Sequence, residues 1–196
     1  RPMPPASMSK IMTVYLVFDQ LKQKRLKLDD MLPVTENAWR AGGSASGGST
    51  MFLKLDEPVK VEDLIQGVIV QSGNDASIAL AEGLGGSEPA FAEMMTKKAK
   101  ELGMKNSSFA NATGLPDPRQ MMSVRDLAIL ANHTIKDFPE YYHYYGEKEF
   151  VHNNIKQGNR NPLLYKNIVA DGLKIGPTTV AGSGVTASAK QGDRRL

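Results

Sequence analysis

The chain has 196 residues, 41% hydrophobic and 23% charged, with a formal net charge of +3 at neutral pH. That length suits one packed domain, or one domain and a fragment, and the composition is that of an ordinary globular protein. Cysteine is absent, which excludes disulfides, thiolate catalysis and zinc–thiolate sites together. Basic runs such as Lys22-Gln23-Lys24-Arg25 and Lys97-Lys98-Ala99-Lys100 close helical patterns without an aromatic-rich basic stripe. They read as solvated helix faces and not as a nucleic-acid surface. No apolar run approaches the roughly 18 residues of a membrane span, and no signal peptide is visible. Because the chain opens on Arg1, we expect an upstream segment to have been removed or left out.

Pro2, Pro4 and Pro5 predict a non-helical opening. From Ala6 to about Lys24 the pattern is helical, with Ile11, Met12, Tyr15, Leu16, Phe18 and Leu21 on an apolar face. A polar stretch leads to the Gly/Ser run from Gly42 to Ser49. It reads either as a linker between domains or, as we prefer, as a mobile loop within one domain at the rim of a site. Val61 to Gln71 predicts a buried helix broken at Ser72-Gly73-Asn74. Asp75 is placed to cap a second helix from Ala76 to Leu84 that ends at Gly85-Gly86.

Ser87 and Pro89 predict a helix start, and Gly103 a stop just after Leu102. Asn106 to Met122 is irregular, and Ser123 opens a further helix to about Lys136. Tyr141, Tyr142, Tyr144 and Tyr145 read as a packing cluster in preference to a ligand platform. Strands are expected at Glu149 to His152 and, as a pair joined by a turn around Ala181-Gly182, at Gly172 to Thr178 and Gly184 to Lys190. Helices first and strands last give the fold class α+β. His133, His143 and His152 lack metal-ligand spacing and read as surface or packing residues.

Ser7-Met8-Ser9-Lys10 is an S-x-x-K tetrad. On a first helical turn the serine and lysine share one side, and a lysine in a low-dielectric pocket can take the serine's proton. The backbone N–H groups of the helix start lie near the reacting carbonyl. Alone, the tetrad is equally an ordinary helix cap; specificity comes from the order and spacing of downstream motifs. Ser72-Gly73-Asn74 is an S-x-N triplet between helices, and Lys174-Ile175-Gly176 stands where a K-T-G is expected. Further segments complete a pattern along the chain: Gln71-Ser72-Gly73-Asn74-Asp75-Ala76, Met51-Phe52-Leu53-Lys54, Gly103-Met104-Lys105-Asn106, Gly114-Leu115 and Asn159-Arg160-Asn161.

On these motifs the chain resembles the serine D-alanyl-D-alanine carboxypeptidases, the low-molecular-mass penicillin-binding proteins, over nearly its whole length. The resemblance implies the helix-rich part of a penicillin-binding protein and serine β-lactamase-like transpeptidase fold with a reduced antiparallel sheet. Residues 1–196 would then form a single incomplete catalytic domain. It further implies that Ser7 is the nucleophile, Lys10 its base and Ser72 a proton relay to the leaving amine. Asn74 would bond Lys10 and the substrate amide, while Lys174, Ile175 and Gly176 line the substrate's carboxylate end. Peptidoglycan pentapeptide and β-lactams are the implied partners, with no cofactor and no metal. The implied location is the periplasm or outer face of the bacterial cytoplasmic membrane, with membrane contact only through segments outside this chain.

Two residues depart from the family pattern. Ile175 replaces the K-T-G threonine, whose hydroxyl contact to a charged group is worth about 1.5–3 kcal/mol. Pro177 occupies the position whose backbone N–H completes the oxyanion hole, and proline has none; one such donor is worth about 100- to 1000-fold in acyl transfer. The family's flanking strands are missing, so an exposed sheet edge invites pairing into a homo-oligomer. Three readings stay open: a D-Ala-D-Ala carboxypeptidase, including a derived β-lactam or ester hydrolase; a catalytically impaired remnant that binds peptidoglycan or β-lactam; and a plain structural helical fragment.

Overall fold

A computed structural model describes residues 1–166, 168–178 and 182–196, with the side chain of Thr178 left out. The helices are α1 (Lys10–Lys22), α2 (Glu36–Gly42), α3 (Val61–Val70), α4 (Asn74–Gly85), α5 (Glu88–Glu101) and α6 (Val124–Asp137). Two short ladders accompany them. The first pairs β1 (Met31–Leu32) with β2 (Val59–Lys60); the second pairs β3 (Glu149–His152) with β4 (Ile155–Gly158). An antiparallel sheet of β5 (Ala170–Thr178), β6 (Gly182–Gln191) and β7 (Arg194–Arg195) ends the chain. Helix-rich and then strand-rich, the molecule has the expected α+β order.

The core is built around α1. Every residue from Lys10 to Phe18 is buried, so this helix is enclosed on all sides and its apolar residues do not form the single face expected from the pattern. Enclosure forces polar residues in it and just before it to find partners: Thr13 Oγ1 donates to Ala112 O at 2.8 Å, and Ser9 Oγ, at the cap, to Ala6 O at 2.9 Å. Phe18 meets Phe138 edge-on at 5.8 Å and stacks on Tyr141 at 5.4 Å, with Tyr144 and Tyr145 beyond. The tyrosines are thus a packing cluster, and truncating Phe18 to alanine costs about 3–5 kcal/mol.

Local signals place most boundaries. Ser87 and Ser123 cap α5 and α6, their hydroxyls accepting from the N–H groups of Ala90 and Asp126. Three expectations need correction, and the strand expected at Glu149 to His152 is found as β3 with an addition. The polar stretch before Gly42 contains α2, capped by Thr35 Oγ1; seven residues with little apolar periodicity carry no helical pattern. Asp75 is not a cap: Gly73 holds that position and Asp75 lies inside the first turn of α4. The strand at Glu149 has a partner, β4, across a turn in which Asn153 (φ 48) and Asn154 (φ 61) both adopt the left-handed region that asparagine tolerates. The final sheet has three strands where a pair was expected; of the expected turn, Ala181 lies outside the described residues and Gly182 opens β6.

The Gly/Ser run is part of the same packed unit. Ser44–Ser46 forms a short 3-10 turn after α2, and Gly42 seats α2 directly on α4. A Cβ there would fall 2.3 Å from the Asp75 nitrogen, so only glycine allows that approach. Strand β5 packs on the turn at Ala6–Ser9 and on the tyrosine segment, which brings the sheet edge to the start of α1. The chemistry-bearing residues gather at that junction.

Candidate active site

Three backbone segments converge on Ser7. The chain leaves Pro5, passes Ala6 at φ 52, and makes a 3-10 turn over Ala6–Ser9 that runs into α1. A non-glycine residue in the left-handed region is strained and persists only where its surroundings over-determine it. Two glycines supply that constraint by close approach. A Cβ on Gly114 would lie 2.1 Å from Ala6 O, and one on Gly176 would lie 3.0 Å from the nitrogens of both Ser7 and Met8.

Lys10 is 1% exposed, and its Nζ lies 2.9 Å from Ser7 Oγ and 2.6 Å from Thr113 O. The carbonyl holds one N–H of the amine, which orients the nitrogen toward the serine. Thr113 is held in turn by Asn111, whose Oδ1 accepts from the backbone N–H of Thr113 at 3.2 Å and of Gly114 at 2.8 Å. Burial, and then the positive charges of Lys174 and Arg160, hold the Lys10 amine well below the ordinary lysine range, with Asp75 opposing them. An amine held this way gives up its proton more readily, and beside a serine hydroxyl it is placed to act as a general base.

Lys174 is equally enclosed; burial first, then Arg160, push it down to about 7. Among the described residues neither lysine, nor Arg160, is ion-paired with a carboxylate. Lys174 and Arg160 together line a cationic part of the cleft suited to a carboxylate. Arg160 is aimed by its two neighbours. Asn159 Nδ2 donates to Glu147 O at 2.9 Å and Asn161 Nδ2 to Gly172 O at 3.0 Å, while Arg160 itself donates to Ser49 Oγ.

A cleft of about 500 Å³ brings together Ser7, Ser72, Asn74, Arg160, Lys174, Ile175 and Pro177. Gly48 and Ser49 border it, so the end of the Gly/Ser run does reach the rim. Ser72 sits at φ 54, and its buried hydroxyl has no hydrogen-bond partner among the described residues. Gly176 contributes backbone against Ser7 instead of lining the cleft. The expected bond between Asn74 and Lys10 is not formed; the amine is taken by Ser7 and Thr113, and Asn74 lies beside Gly48. Pro177, on the edge strand β5, is exposed and opposite Ser183, a position proline tolerates.

Thr113, Arg160 and Asp75 carry no role that the sequence assigns to the site. Arg160 and Asp75 stand inside visible motifs, Asn159-Arg160-Asn161 and Gln71-Ser72-Gly73-Asn74-Asp75-Ala76, whereas Thr113 has no such signal. Among the described residues no group of three or more His, Cys, Asp or Glu could hold a metal ion; His133 bonds Asp137 at 2.9 Å.

The buried charge of Lys174 has a measurable cost. Between about 7 and the ordinary 10.5 the unfolded chain binds a proton that the native state does not, so stability rises with pH across that window. Below it both states are protonated and the fold carries the full burden. Lys174→Met should therefore stabilise the protein by about 1–4 kcal/mol near pH 6. That corresponds to roughly 2–4 °C per kcal/mol for a chain of this size. The gain should fade toward pH 10. Calorimetry at both pH values checks this, and equal shifts at the two would show that charge is not the cause.

The D-alanyl-D-alanine carboxypeptidase family, peptidase S11, matches residues 1–196. The chain is 48% identical over 194 residues to D-alanyl-D-alanine carboxypeptidase DacC of Escherichia coli, covering 98% of this chain and 48% of that protein. It is 48% identical over 186 residues to DacA of Haemophilus influenzae, covering 94% and 47%. The crystal structure of penicillin binding protein 5 from Haemophilus influenzae superposes with a TM-score of 0.95 at 46% identity, over 100% of this chain and 57% of that one. The chain thus spans about half the length of the curated relatives it matches. With a serine, a buried lysine and a cationic cleft at matching motifs along its whole length, the chain belongs to the D-alanyl-D-alanine carboxypeptidase family and has its penicillin-binding protein fold.

Proposed function

We propose that this chain is the catalytic part of a serine D-Ala-D-Ala carboxypeptidase acting on peptidoglycan pentapeptide and acylated by β-lactams. One observation carries the reading: a fully buried lysine amine, held below its ordinary pKa, 2.9 Å from a cleft-lining serine hydroxyl. Ser7 Oγ attacks the carbonyl between the two terminal D-alanines as its proton passes to Lys10. The tetrahedral intermediate collapses, the C–N bond breaks, and the leaving amine takes a proton through Ser72, whose hydroxyl is free to bridge. Asn74 meets the substrate amide, and Lys174 and Arg160 meet the terminal carboxylate. Water then hydrolyses the ester and regenerates Ser7. Acylation rises with pH as Lys10 loses its proton.

The substrate class would place the protein in the periplasm or on the outer face of the cytoplasmic membrane, with residues 1–196 as one incomplete domain. No helix of the described residues is long and apolar enough to cross a membrane. Release of D-alanine from diacetyl-Lys-D-Ala-D-Ala and labelling by a fluorescent penicillin test the proposal together. Folded protein that does neither would end it. Labelling without D-alanine release would favour an impaired binder, for which Ile175 and Pro177 argue, or a derived β-lactam or ester hydrolase.

Self-association forms part of this reading. Among the described residues the edge of β6 opposite β5 is unpaired from Gly182 to Ser188, and Val185 is 55% exposed beside it. Unpaired strand edges with apolar neighbours recruit a second copy. Sedimentation should show a concentration-dependent dimer; a monomer across the full range would remove it.

A further inference from the structure

Asp75 is fully buried, one residue after Asn74. No cation bonds its carboxylate among the described residues; four donors do. Oδ1 accepts the N–H of Met51 at 3.0 Å and of Ala76 at 2.9 Å. Oδ2 accepts the hydroxyl of Thr50 at 2.7 Å and the N–H of Leu53 at 3.0 Å. Three of the four come from residues 50–53, where Phe52 is forced to φ 60. A strained residue of this kind needs its flanks fixed, and the carboxylate fixes both. The Phe52 N–H adds a bond to Thr50 Oγ1 at 3.0 Å. Immediately before this segment stands Ser49, whose carbonyl accepts the Asn74 N–H at 2.8 Å and whose hydroxyl accepts from Arg160. The clamp therefore ends at two residues of the cleft wall.

A buried carboxylate without a counter-ion is expensive even when bonded. Neutral acceptors would serve a loop as well, so the charge calls for its own explanation. Lys10 supplies one. Its amine bonds the Ser7 hydroxyl and the Thr113 carbonyl, and the charges that act on it among the described residues are Lys174 from β5, Arg160 from the segment after β4, and Asp75 from α4. Asp75 is the single anion among them.

We propose that Asp75 is a positioning residue of the acyl-transfer site. Its carboxylate clamps residues 50–53 so that Ser49 and Asn74 keep their places on the cleft wall, and its charge offsets the two cations that act on Lys10. The second half rests on the function proposed above; the clamp does not.

Asp75→Asn keeps the shape but turns an NH2 group toward N–H donors and removes the charge. Hydrogen exchange at residues 50–53 should then quicken by about tenfold or more. Penicillin acylation should slow by about 10- to 100-fold, the scale of a small misplacement in an acyl-transfer site. The rising limb of acylation against pH should also move to lower pH, because an amine that loses a nearby anion's influence gives up its proton more readily. A purely structural role would speed exchange and leave that limb in place. An unmoved limb, or unchanged exchange, overturns the proposal. Thr50→Val removes one donor and keeps the charge: exchange should quicken with the limb unmoved, and this variant decides the clamp if Asp75→Asn does not fold. If the parent is never labelled by penicillin, the proposed function fails, and the exchange result alone upholds or overturns the clamp.

Discussion

Ser7→Ala should abolish covalent labelling by penicillin while leaving the fold intact. The side chain of Ser7 is half-buried in a 3-10 turn, and its hydroxyl bonds only Lys10 among the described residues. Its removal empties no core site, so stability should stay within about 0.5 kcal/mol of the parent. The chemical effect is of another order. In a serine hydrolase the loss of the nucleophile costs on the order of 10⁶ in turnover, which a labelling gel reads as complete loss. Two other serines border the cleft, Ser49 and Ser72. Mass spectrometry of the variant after exposure to penicillin, with a melting curve beside it, checks the assignment. An adduct persisting on either of those serines would show that the nucleophile lies elsewhere.

That Ser7 and Lys10 can be paired from sequence reflects how local their relation is. Three residues apart on one turn, they need no tertiary information to meet. The caps at Ser87 and Ser123 are legible for the same reason: the hydroxyl and the N–H that it accepts are three residues apart. Thr113 cannot be found this way. Its carbonyl reaches Lys10 across 103 residues of sequence, and a backbone acceptor leaves no signature in residue identity. Arg160 stands inside a recognisable motif, yet only the two flanking asparagine bonds explain why the guanidinium points at the cleft.

Asp75 looks like a cap in the sequence because an acid at a helix start ordinarily is one. Here the helix begins two residues earlier, at Asn74 with Gly73 as its cap, and three of the four donors on the carboxylate lie 22 to 25 residues upstream. For Asn74, the resemblance implies a bond to Lys10 where the amine has other partners. In this protein, motif identity locates the site, and long-range backbone contacts determine its geometry.

Restoring the two departures should raise acylation. Strand β5 holds its antiparallel register with β6 through the segment in question: Lys174 opposite Thr186, Ile175 opposite Val185, Gly176 opposite Gly184 and Pro177 opposite Ser183. Gly176 approaches the Ser7 nitrogen, so this strand lies where a second oxyanion donor would be needed, and the residue after Gly176 cannot donate. Pro177→His restores a backbone N–H, and Ile175→Thr restores a hydroxyl for the substrate carboxylate. Together they should accelerate penicillin acylation and D-alanine release by about 100-fold or more, the worth of a single oxyanion contact. Pro177→Ala, which supplies the N–H without an imidazole, should recover most of the gain if the backbone donor is the cause. The measurement is the second-order acylation constant for each variant beside its melting temperature. A double variant that folds as well as the parent yet acylates no faster would sink the assignment of Pro177 to the oxyanion position. The cleft would then have to stabilise its intermediate from the Ser7 N–H and the cations alone.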